Sequence, residues 1–191
     1  VSAHVFQDFP QLVAALGEPP ARCDLGPGQA QLAERAALAS LDDETLFAGA
    51  RVRDRALAKC CHSGLWLLYD SLDQSHELSQ EIATTEGSYW HGIMHRREPD
   101  YANAKYWFRR VPQHPVYDML KAESQQLASR HELDPPAQFL AASDPWDPNA
   151  LVDLCEAVAR GRSHCRALAE EVAMCEWRLL FAYCYAGAIG R

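Results

Sequence analysis

No apolar run reaches the roughly 18–20 residues that a bilayer span needs. The last candidate, 179–189, is short and carries Tyr183, Tyr185 and Gly187. No basic segment followed by an apolar one opens the chain, so no secretory signal is expected. Net positive charge is also missing. At a formal charge of −8 and a pI near 5.4, the composition argues against a protein that coats nucleic acid or an anionic membrane. There is no Gly-rich phosphate loop and no Ser in a G-x-S-x-G turn. The seven Cys are odd in number and none forms a C-x-x-C pair, so a reduced, cytoplasmic chain is expected.

Alternating strand patterns are absent as well, and nearly every periodic segment has the helical repeat. With 191 residues, 48% hydrophobic and 23% charged, the expectation is a soluble, all-α, single-domain bundle of about six to seven helices spanning 1–191. An irregular or weakly helical lead-in covers 1–28. A weak helix is expected over 29–41, and a longer one after Asp42 whose apolar face drifts from Leu46 to Leu72. Ser75 is placed as the cap of the next helix, which runs to Arg97 and stops at Pro99. Asp100 caps a helix to about Val111, and another runs over 116–131. Residues 133–148 form an ordered loop, and Asp147 with Pro148 starts a helix to about Arg160. Ser163 starts the last helix.

Against the acidic background, 91–110 holds five cations (Arg96, Arg97, Lys105, Arg109, Arg110) and two anions, a local charge of +3 that leaves −11 elsewhere. A small anionic ligand suits such a patch better than a long polyanion. At about 100° per residue, His91 and His95 share one helical face with Thr84, Ser88 and Glu98. Their H-x3-H spacing lets two imidazoles reach one metal ion, although Gly92 stands where the Glu of an H-E-x-x-H signature would be. A third ligand is sought by type among Glu86, His76, Asp73 and His114. Hydrogen-bonded or catalytic His without metal, and His packed between helices, stay open as readings.

Glu86 and Arg97 fall on the apolar sector with Ile82, Tyr89, Trp90 and Ile93. A carboxylate there finds a partner or rises in pKa, as a general acid or base at neutral pH requires. Arg96, Arg97, Arg109 and Lys105 are candidate anion contacts, and Trp90, Trp107 and Trp146 candidate pocket walls.

The run from Glu86 to Arg110, with its W-H-x-I-M-H-R-R-E-P-D-x-x-N-x-K-Y-W-x-R-R block, resembles a family of uncharacterised soluble proteins. The later Trp146-Asp147-Pro148 block, continuing through Leu151 to Glu156, resembles a second segment shared by that family. The resemblance brings no established reaction or cofactor. It implies that the two segments belong to one site.

The expectation is therefore a polar His/Glu/Arg pocket in a small metal-dependent or acid/base enzyme acting on a small anion. Glu86, His91 and His95 are its catalytic candidates, and His91 and His95 hold zinc, iron, manganese or nickel if a metal binds. The alternatives are a non-catalytic module for a small anion or a protein partner, and a structural network of buried ion pairs. Nothing in the pattern points to an oligomeric state.

Overall fold

Helix boundaries follow caps and left-handed residues set at short intervals. In the computed structural model, which describes residues 8–20, 22–142 and 145–191, the fold is all-α. Among the described residues there are ten α-helices, one 3-10 helix and no strand. The helices are α1 (Pro10–Leu16), α2 (Leu32–Ser40), α3 (Asp43–Leu46), α4 (Arg55–Leu68) and α5 (Leu72–Ser79). They continue as α6 (Thr85–Arg97), α7 (Tyr101–Phe108), α8 (Val116–Ala128), the 3-10 helix Pro135–Leu140, α9 (Pro148–Ala159) and α10 (Arg166–Ile189).

The number exceeds the six to seven expected because the long helix after Asp42 is three elements. Ala48 and Gly49, both at positive φ, end the first after one turn. Asp54 then opens α4 by accepting from Ala56 N and Leu57 N. Asp70, left-handed at φ 61°, separates α4 from α5. Ser75 does not cap α6. It lies buried inside α5, its hydroxyl 3.0 Å from that of Ser63, and Thr84 caps α6 through Gly87 N. Asp100 and Asp147 cap α7 and α9 as their sequence contexts predict. The lead-in carries α1 and the loop over 133–148 contains the 3-10 turn, with residues 1–7 and 21 of the one and 143 and 144 of the other outside the described ones. No helix of the described residues is long and apolar enough to cross a membrane.

The buried apolar side chains form one cluster, and all seven Cys are free thiols within it or beside it. α6 lies at its centre, packed on α4, α5 and α7, while α10 runs along α4 and α8. Residues 87–97 of α6 are all buried. Trp90 meets Trp177 of α10 at 6.1 Å between ring centroids, and Trp177 stacks on Phe181 at 4.8 Å. Both indoles depend on Gly64 in α4. Its carbonyl accepts from Trp177 Nε1 at 2.7 Å, and a Cβ on it would lie 2.8 Å from the Trp90 ring.

Gly64→Ala would gain about 1 kcal/mol of helix propensity, but overpacking against a fully enclosed indole costs about 1–3 kcal/mol. Urea unfolding is expected to show a net loss of about 1 kcal/mol, with altered near-ultraviolet circular dichroism from the two indoles. An equal or higher midpoint would show that Trp90 has room to move.

Candidate metal centre

Two helices joined through 80–84 bring three imidazoles together. His91 and His95 stand one turn apart on α6, and His76 faces them from α5. Ring centroids are 4.7 Å apart for His91–His95, 4.8 Å for His76–His91 and 5.3 Å for His76–His95. One nitrogen from each lies within 4.8 Å of the other two. His91 and His95 are buried and His76 is half-buried, so the cluster meets solvent on the His76 side. The paired hydroxyls of Ser63 and Ser75 fix α5 against α4 immediately before His76.

His95 Nδ1–H donates to Glu98 Oε2 at 3.1 Å, which leaves His95 Nε2 as an acceptor. That nitrogen lies 2.9 Å from His91 Nε2 and 3.0 Å from Asn103 Nδ2. Ser79 Oγ lies 3.1 Å from His91 Nδ1 and 3.3 Å from His76 O. The His91 proton sits on Nδ1 when Ser79 donates to His76 O, and on Nε2, shared with His95, when Ser79 donates to His91. Protonating a ring is unfavourable here. Burial, then the neighbouring His95 and His76, push His91 down to about 3, and burial also lowers His95 despite Glu98. Trp107 covers His91 at 4.1 Å and 35° between ring planes, and Arg110 lies 4.9 Å over Trp107.

The other candidates go elsewhere. Glu86 does not join His91 and His95; its carboxylate lies 3.8 Å from His114 Nε2. Of the two outcomes expected for a carboxylate on that sector, it finds a partner rather than rising in pKa: His114 holds it down at about 2, although burial alone would raise it. Arg96 is no anion clamp. It is fully buried against Glu176 of α10, which also accepts from Tyr89 OH at 3.1 Å. Burial would lower the Arg96 guanidinium, but the adjoining Glu176 carboxylate more than offsets this and raises it. Arg97 spends its three nitrogens on Gly26 O, Leu67 O and Asp70. Lys105 pairs with Asp153 of α9. Trp90 is core. Trp146 makes its ring contact with Phe139 at 6.0 Å, and no ring contact among the described residues joins it to the histidines. Arg109 is exposed beside Tyr106.

His91, His95 and Trp107 are thus brought together and the rest are dispersed. His76 was legible only as one of four candidates by type. The acids Glu176 and Asp70 left no local signal. A cleft of about 250 Å³ lies between 24–28, Pro99, Tyr101 and Arg166, and none of the three histidines lines it. Comparison with known protein families, curated proteins and solved structures finds no match.

Arg96→Met leaves Glu176 charged, buried and unpaired, so unfolding free energy is expected to fall by about 3–5 kcal/mol. Arg96→Met with Glu176→Gln should recover part of that loss. A near-neutral single variant would contradict a structural ion pair.

Glu86 gives an acid-range prediction. Its folded pKa lies below the ordinary value of 4.5, so its contribution is complete above about 4.5 and is lost as pH falls towards about 2. Glu86→Gln should therefore flatten the stability–pH curve in that window. An unchanged slope would remove the Glu86–His114 contact from the account.

Proposed function

We propose that this chain binds one divalent transition-metal ion through His76, His91 and His95 and uses it in hydrolytic chemistry on a small anionic substrate. The observation that carries the reading is the convergence of three imidazoles, with the Nε2 atoms of His91 and His95 2.9 Å apart and His76 beside them. With both ring protons on Nδ1, a cation between the rings is coordinated by both Nε2 atoms. Tetrahedral zinc at about 2.0–2.1 Å from each nitrogen sets the nitrogens about 3.3 Å apart, so the close pair opens slightly and His76 moves inward. Ser79 and Glu98 act as the outer partners that orient ligating imidazoles. Imidazole donors suit zinc, iron or nickel better than manganese.

Three protein ligands leave a coordination position for water, the pattern of catalytic rather than structural zinc. Neutral imidazoles leave the ion its full charge, which acidifies a bound water and favours anionic substrates. Asn103 stands next to the open side. Arg110, without a carboxylate partner among the ion pairs of the described residues, lies over Trp107, the ring that covers His91. Buried free thiols throughout the core favour a reducing compartment such as the cytoplasm.

Elemental analysis of full-length, untagged protein purified without chelator tests the reading. His76→Ala, His91→Ala and His95→Ala are each expected to lose one equivalent of metal relative to the unaltered chain. Metal at 100 times its Kd stabilises by about 2.7 kcal/mol, so chelation should lower Tm further in the parent chain than in the variants. Inorganic phosphate should bind the zinc-loaded form more tightly than the stripped form, and Arg110→Ala should weaken that binding about tenfold, or ~1.4 kcal/mol. Metal content that ignores all three His substitutions would overturn the assignment.

A further inference from the structure

A second cluster lies where the segment before the 3-10 helix meets the start of α10. Asp134, His164 and Cys165 each offer a ligand atom there, a carboxylate oxygen, an imidazole nitrogen and a thiol sulfur, all within 4.8 Å of one another. Asp134 is 9% exposed, Cys165 is buried, and His164 is on the outside with its side chain 66% exposed. Burial would raise the Asp134 carboxyl, but the Ser163 hydroxyl, the His164 N–H and ring and the Cys165 thiol beside it hold it below its usual range, and its two oxygens are used unequally. Oδ2 accepts from His164 N at 2.8 Å and lies 3.3 Å from His164 Nδ1, while Oδ1 is buried with no hydrogen-bond partner. Such an oxygen is costly to leave unanswered. Asp134 does not cap its own 3-10 helix. The thiol has a weak bond, Cys165 Sγ to Glu132 O at 3.5 Å, which a stronger interaction would readily replace.

We infer that Asp134, His164 and Cys165 form a second transition-metal site, for a thiophilic divalent ion such as zinc. Cys, His and Asp are all ordinary zinc ligands, and softness selects zinc over magnesium or calcium. Binding converts the Cys165 thiol to thiolate and releases one proton to solvent. The carboxylate and the thiolate then cancel the charge of the ion, and Asp134 Oδ1 gains the partner it lacks. Water completes the shell on the exposed His164 side. The charge balance separates this site from the three-imidazole cluster. A neutralised ion is a weak Lewis acid, so its role is to fasten the segment 132–134 to the start of the 24-residue helix α10.

Cobalt(II) distinguishes the two sites, because a thiolate ligand adds an intense near-ultraviolet charge-transfer band that imidazole ligands do not. Titrated into metal-stripped full-length protein, cobalt should reach two equivalents and show that band. Cys165→Ser should lose the band and one equivalent while keeping the visible d–d bands of the imidazole site. His91→Ala should lose the other equivalent and keep the charge-transfer band. His164→Ala alters only an exposed side chain, so its fold is expected to hold, and it should weaken the band-producing site at least tenfold. One equivalent with the band would retain this site and remove the imidazole centre. Absence of the band in the parent chain, or its persistence in Cys165→Ser, would overturn the inference.

Discussion

A helix that is half polar lies buried on every side, and the rest of the fold is arranged to answer its polar groups. Between 87 and 97, α6 carries two His, two Arg, a Ser and a Tyr, all removed from water. An unanswered charge there would cost several kcal/mol. The answers come from far along the chain. Glu176 reaches from α10 to Arg96 and Tyr89, and Asp70 with two carbonyls surrounds Arg97. Each answer fixes a neighbouring element in register. The Asp70 carboxylate fills the space beside Gly28, where a Cβ would lie 2.2 Å from its Cγ, and it also accepts from Gln29 N at 3.2 Å. One arginine thereby ties the 26–29 segment, the end of α4 and α6 into a single junction.

The two kinds of buried cation-forming residue are treated differently. The arginines meet carboxylates or carbonyls, although Arg96 Nη1 is buried without a hydrogen-bond partner. The imidazoles meet each other. Ser79 and Glu98 stand at the Nδ1 atoms, and the Nε2 atoms turn inward to lie 2.9 Å apart. Asn103 reaches His95 Nε2 alone. The imidazole cluster and the arginine pairs, although interleaved on one helix, therefore call for separate explanations.

Local signals made most of the architecture legible. Asp42, Asp100 and Asp147 each cap a helix by accepting from a backbone N–H two or three residues on, chemistry visible in a window of four residues. The breaks at Ala48, Gly49 and Asp70 were harder to see, because the apolar period continues through them and only backbone φ marks the interruption. At the site, the helical repeat placed His91 and His95 together. It also placed Glu86 and Arg97 in one sector, yet three turns of helix separate them and they meet different neighbours. Periodicity gives direction around an axis and says nothing of what stands opposite. Glu176, 80 residues from Arg96, was beyond any local pattern.

The concentration of positive charge over 91–110 has a different origin from the one its composition implies. A net surplus of cations in sequence becomes an anion site only if those cations remain free in space. Arg96 and Arg97 are consumed inside the protein and Lys105 bridges α7 to α9, so three of the five are neutralised by acids from other segments. The −11 carried by the remainder of the chain is in part the complement of the basic run, folded back onto it. What is left is the exposed pair Arg109 and Arg110, lying over Tyr106 and Trp107 at the end of α7. Any attraction for a small anion at this surface rests on those two guanidinium groups. The apparent patch is mostly the internal wiring of a buried helix.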